Sequence, residues 1–194
     1  MEQLQPKQLR QYFLSRRSTF IDQFVPGQRI ADATIEQILD NANTAPTHKR
    51  TEPWRFTVFC DQGLESLALQ QAALYKQCSG SSFKESQYQK LLTTPQRCSH
   101  VIALGMKRHD SVPEQEEIAA AACAVQNIYL SLSTWGIGGY WSTGGITYFE
   151  EAKALFGLEK ADRFLGFFYL GVVQTPSQMR EAGDVALKTT WVRE

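Results

Sequence analysis

The segment Arg163-Phe164-Leu165-Gly166-Phe167-Phe168-Tyr169-Leu170-Gly171-Val172-Val173 is apolar almost without interruption. A strand with one wet face alternates apolar and polar residues, so an unbroken run belongs in the middle of a sheet. Two other stretches read as strands. Trp54 to Cys60 is rich in aromatic and β-branched residues, and Val101 to Met106 is short and apolar.

Helical spacing fills most of the remainder. Leu9, Tyr12, Phe13 and Leu14 give a short first helix, from Lys7 to about Ser15. Thr34 and Gln37 form a capping box that opens a second, with Ile35, Ile38, Leu39 and Ala42 on its buried side, ending before Pro46. Leu64, Leu67, Ala68, Ala72, Leu74 and Tyr75 describe a third. Pro113 opens the longest helix, which runs to about Trp135 and is apolar or small on most sides. Such a helix is expected to be buried, and its alanines suit a subunit interface. Thr147 and Glu150 make a second capping box, for a helix that Gly157 ends. The Ser-rich stretch Cys78–Ser99, with a short helix around Gln87 to Leu92, reads as a mobile cover over a site or a surface excursion, with the cover preferred. The tail from Gln174 lacks a strong period; Thr189–Val192 is a candidate edge strand, available to a neighbouring subunit.

Composition narrows the function. The 194 residues suit one domain spanning 1–194. A net charge of zero argues against a nucleic-acid surface. The polar N-terminal stretch carries no secretory signal and no apolar run approaches membrane-spanning length, so a cytoplasmic protein is expected. Cys60, Cys78, Cys98 and Cys123 read as reduced packing residues. His48, His100 and His109 show no metal-ligand spacing among themselves or with the cysteines, so no metal site is expected.

Three segments carry more chemistry than their local structure needs. Arg16-Arg17-Ser18 follows the first helix. The connection Ala45-Pro46-Thr47-His48-Lys49-Arg50-Thr51-Glu52-Pro53 joins the second helix to a strand. Gly136 to Gly145 holds five glycines in ten residues after the longest helix, as though something flat or bulky approaches the backbone. The last is neither a P-loop nor a GxGxxG turn. A cofactor with a phosphate, a hydroxylated linker and a flat ring would use all three segments. Flavin mononucleotide (FMN) fits, and flavin chemistry needs few catalytic side chains because the ring supplies the reactivity.

With Pro53-Trp54-Arg55-Phe56, Gly138-Gly139-Tyr140-Trp141-Ser142-Thr143-Gly144 and the strand Phe164–Gly171, these segments resemble the nitroreductase-like family of FMN-dependent oxidoreductases, in its short, minimal subgroup. The resemblance implies an α+β, three-layer fold: a central, mostly antiparallel sheet flanked by helices, in an intertwined homodimer with FMN at the subunit interface. It implies that Arg16, Arg17, Ser18, Trp141, Ser142 and Thr143 bind FMN from one subunit, while Thr44 and His48 reach it from the partner. It also implies ping-pong chemistry, in which NADH or NADPH is the electron donor and a nitro compound, quinone or similar small molecule the acceptor. No residue is assigned a catalytic role. Ser142 stands where the subgroup often has Arg, and Thr47 where it often has Asp. A flavin carrier or sensor without turnover, a flavin-dependent dehydrogenase or dehalogenase of a specific metabolite, and a cofactor-free interaction domain are the alternatives.

Overall fold

In the computed structural model, residues 5–175 and 178–194 are described. Strands β1 (Trp54–Cys60), β2 (His100–Met106), β3 (Ile137–Ser142) and β4 (Arg163–Val172) form one antiparallel sheet in the order β1-β2-β4-β3. Six α-helices accompany it: α1 (Pro6–Ser15), α2 (Asp32–Asn43), α3 (Gln62–Cys78), α4 (Glu85–Thr93), α5 (Glu114–Leu132) and α6 (Ala152–Leu155).

The apolar run in β4 sits centrally, as its composition requires. Successive side chains point to opposite faces. Phe168 and Leu170 therefore join Ile102 and Leu104 of β2 in a core covered by α2 and α5. Phe167 and Tyr169 join Val101 and Ala103 in a second core, covered by α3, α4 and α6. Helices, sheet and helices make three layers.

A bulge interrupts the β2–β4 ladder. Leu104 pairs with Gly166 and Gly105 with Phe164, so Leu165 has no opposite residue. Gly166 adopts φ +103°, and a Cβ there would fall 2.2 Å from the Ser142 carbonyl oxygen. The bulge thus needs glycine and turns the Leu165 carbonyl toward the end of β3.

Several expectations are corrected. The capping box at Thr34 is not formed: the cap lies three residues earlier, at Ala31, α2 starts at Asp32, and the Thr34 N–H bonds the Ala31 carbonyl. An acidic side chain in the first turn suits the helix dipole, and Asp32 is also held by His100. Thr147 closes a turn onto the Gly144 carbonyl instead of capping a helix, which leaves α6 only Ala152–Leu155. Cys78–Ser99 takes the second of its two readings, a helical excursion on α3 fixed by buried Leu91 and by Gln71 Nε2, which donates to the Leu91 carbonyl. The longest helix is buried along one side only; Ala119 and Cys123 are exposed. Thr189–Val192 forms no strand within the chain, and Leu187, Trp191 and Val192 stand exposed. No helix among the described residues is long and apolar enough to cross a membrane.

The glycine-rich stretch also has a different cause. Cβ atoms on Gly138 and Gly139 would collide with the chain's own core, with Val173 and Thr19 in one case and Leu132 and Phe168 in the other. These two glycines give room to side chains of the protein. Gly139→Ala would place a methyl 2.4 Å from Leu132 Cδ1. It is expected to cost about 1–3 kcal/mol through overpacking, measured as a lower urea midpoint; an unchanged midpoint would show that the core yields freely.

Candidate functional site

The site grows from the end of α1. Arg16 leaves the helix in extended conformation, φ −62° and ψ 117°, and the chain runs beside β3, where the Thr19 N–H donates to the Gly139 carbonyl at 2.9 Å. This lays Arg16, Arg17 and Ser18 against the last turns of α5 and the start of β3. Arg16 and Arg17 line a hollow of about 250 Å³ together with Tyr129, Ser133 and Gly136. Both also line an adjacent hollow, which Arg180 closes from the tail.

Arg17 decides what this region can hold. Its Nε is buried and has no hydrogen-bond partner among the described residues. An unpaired buried donor costs on the order of 1–3 kcal/mol, and more when charged, so such a group points to a ligand. A guanidinium fork beside a second arginine is suited to phosphate.

Tyr129 ties the pieces together. The Trp141 N–H donates to its hydroxyl at 2.8 Å, and Ser18 Oγ lies 3.3 Å from the same oxygen. The Arg16 guanidinium sits over the tyrosine ring, 5.2 Å from its centroid. The ring meets Phe168 edge to face at 4.7 Å. The indole of Trp141 is fixed independently, since Nε1 donates to the bulged Leu165 carbonyl at 2.8 Å. Ser142 ends β3, with its hydroxyl accepting from the Gly144 N–H at 3.4 Å, and Thr143 is exposed just beyond.

Of the sequence-predicted residues, Arg16, Arg17 and Ser18 stand at this corner and Trp141 is tied to it through the Tyr129 hydroxyl, while Ser142 and Thr143 continue the chain from the far end of β3. Thr44 and His48 do not join them within one chain. Thr44 caps α2, accepting from Asn127 Nδ2 at 3.4 Å, and His48 Nδ1 lies 2.8 Å from Glu116 Oε2. The His48 loop is strained: Lys49, Arg50 and Glu52 have φ of 51°, 55° and 43°. Lys49 Nζ donates to the Ser111 carbonyl, and the Glu52 N–H to Thr47 Oγ1, holding that geometry. Tyr129 and Arg180 were missed by the sequence reading. Tyr129 falls on the apolar spacing of the long helix, and Arg180 lies in a stretch without period, so neither carried a signal.

A profile of the nitroreductase family matches residues 14–172. The chain belongs to the nitroreductase family. Among its relatives is Escherichia coli K12 YdjA, provisionally named an NAD(P)H nitroreductase. It is 32% identical over 144 residues, which cover 72% of this chain and 76% of YdjA. Bacillus subtilis YfhC, with the same provisional name, is 28% identical over 164 residues, 84% of this chain and 83% of the relative. The nitroreductase-like fold appears in a Bacillus cereus protein at TM-score 0.80 and 20% identity, with both chains covered in full. A Desulfovibrio desulfuricans protein, solved in complex with FMN, superposes at TM-score 0.71 and 18% identity, over 99% of this chain and 100% of that one.

A second polar cluster lies at the other end of the sheet. Cys60 pairs directly with His100 across β1 and β2, and this brings their side chains to Asp32 at the start of α2. Potential ligand atoms of Asp32, Cys60 and His100 lie within 4.8 Å of one another, a convergence that spacing along the chain does not reveal. Arg29 already supplies a cation there, donating to both Asp32 oxygens and to Asp61. Buried His100 is oriented from behind by Ser99 Oγ, 2.9 Å from Nδ1, and reaches Asp32 Oδ1 at 3.0 Å. These contacts hold the Asp32 carboxyl below its ordinary range, chiefly through the His100 hydrogen bond and then Arg29. A depressed carboxylate stabilises the fold above its unfolded-state value, and that contribution is lost as pH falls through the folded value. Between about pH 5 and about pH 3, the melting temperature of the wild type is therefore expected to fall more steeply than that of Asp32→Asn. Parallel curves would remove Asp32 from the acid response.

Proposed function

We propose that the protein is an FMN-dependent oxidoreductase. It takes electrons from NADH or NADPH and passes them to nitro compounds, quinones or similar acceptors in ping-pong order, as a homodimer in the cytoplasm. The carrying observation is the unpartnered, buried Nε of Arg17 beside Arg16, a cationic corner that fits the phosphate of FMN. Bound there, FMN would supply two-electron and one-electron redox chemistry that no side chain of this protein provides.

The protein's own task is to bind, orient and shield. Arg16 and Arg17 neutralise phosphate charge, and Ser18 offers a hydroxyl. Trp141, Ser142 and Thr143 present a strand end whose position is set by the Leu165 carbonyl and the Tyr129 hydroxyl. With Ser142 at this strand end the site has a hydroxyl and no charge, so the arginines after α1 carry the electrostatics.

A partner subunit completes the site in this reading. The hollow of about 250 Å³ in one chain falls below the roughly 300–1,000 Å³ of complete small-molecule pockets. Thr44, at the end of α2, and His48, in the strained loop held by Lys49 and Thr47, lie outside it and are assigned to the partner's site. The exposed Ala119, Cys123 and Ile118 on α5, and the exposed apolar tail residues Trp191 and Val192, supply contact surface for a second copy. All four cysteines are free, which suits a reducing compartment.

Three measurements test the proposal. The purified protein is expected to be yellow and to release FMN on heat denaturation; a colourless protein that takes up no added FMN would sink the reading. Arg17→Ala is expected to weaken FMN binding by roughly 10- to 100-fold, the worth of one or two charge-assisted hydrogen bonds, in ultrafiltration of the holoprotein. Wild-type retention would remove the carrying observation. Sedimentation velocity is expected to give a dimer, and a monomer that retains FMN would refute the shared site.

A further inference from the structure

We infer that Tyr129 is a positioning residue that sets Ser18 as a hydrogen-bond donor toward the bound group, an inference that rests on the FMN reading above. The argument is one of proton direction. A phenolic oxygen has one proton to give and accepts well from about one donor in the ring plane. The Trp141 backbone N–H, at 2.8 Å, takes the acceptor position. A backbone N–H cannot reverse its role, so this bond fixes the sense of the next. The Tyr129 hydroxyl proton is directed to its other neighbour, Ser18 Oγ, at 3.3 Å. Ser18 then accepts from the tyrosine and keeps its own proton for donation to an acceptor oxygen in the site. The order runs from the Trp141 amide through the Tyr129 hydroxyl to the Ser18 hydroxyl.

The tyrosine is held well for this task. It is 9% exposed, its edge rests on Phe168, and the Arg16 guanidinium covers its face. Its backbone lies in α5, and the groups it joins come from the chain after α1 and from β3. One hydroxyl therefore joins two segments from distant parts of the sequence and sets the polarity of the Ser18 hydroxyl. Phe in its place would keep the ring contacts and remove both bonds of the hydroxyl, from the Trp141 N–H and to Ser18 Oγ.

Tyr129→Phe, Ser18→Ala and the double variant test this by titrating the apoproteins with FMN and following quenching of flavin fluorescence. Each single change is expected to raise Kd by roughly five- to tenfold, and the double variant to bind no more weakly than either single one. Merely structural loosening by Tyr129→Phe would instead multiply with the Ser18→Ala loss. Multiplying losses, or wild-type affinity in Tyr129→Phe, overturn the inference. Wild-type affinity in Ser18→Ala overturns it too, by removing Ser18 from the site, while the FMN reading stands on Arg17. No FMN binding by wild-type protein sinks both together. If Tyr129→Phe does not fold, nitrogen-15-labelled wild-type protein decides. The Trp141 amide resonance is expected to shift on FMN addition, and an unmoved resonance overturns the relay.

Discussion

Burial of β4 on both faces is the constraint on which the rest of the molecule depends. Phe168 and Leu170 face one helical layer, while Phe167 and Tyr169 face the other. A strand with no wet face requires covers on both sides, and its neighbours β2 and β3 inherit parts of the same demand. That demand brings α5 onto one face beside β3, with Tyr129 resting on Phe168. The cationic corner is therefore a by-product of how the central strand is covered.

The same strand shapes the site more finely. Its bulge at Leu165 withdraws a carbonyl from the ladder and gives it to the Trp141 indole. Gly166 makes this possible because any side chain there would strike the Ser142 carbonyl. Core architecture and site geometry are coupled through a few backbone groups. Changes at Gly166 or Leu165 act on the position of Ser142 and Trp141, whereas changes at Arg16 or Arg17 act on charge.

Polar groups divide into two sets with different physics. At the corner after α1, Arg17 Nε is buried and unpaired, an arrangement that a bound anion would relieve. At the Asp32 cluster each polar group has a partner: Arg29 bridges Asp32 and Asp61, and His100 is held between Ser99 and Asp32. One is an open site and the other a closed network. Glu117, fully buried, belongs to the second kind, since Arg108 and His109 both reach its carboxylate.

The family resemblance supplied the α+β class. The sequence pattern by itself determined three of the four strands, the main helices and the basic segment Arg16-Arg17-Ser18. Each of these is written in local chemistry: an unbroken apolar run, a 3.6-residue period, or a basic and hydroxyl cluster where a turn needs none. It misjudged what depends on packing. The glycines at 138 and 139 read as clearance for a ligand, yet make room for Leu132, Phe168 and Val173. The start of α2 was set by Asp32 and its distant partner His100, a contact that no cap motif encodes. Only the tertiary structure decided that Tyr129, spaced like any core residue of its helix, holds Ser18 and Trp141 together. Periodicity reports which face of a helix is buried, but a hydroxyl at the edge of that face acquires its partners only when separate segments fold against it.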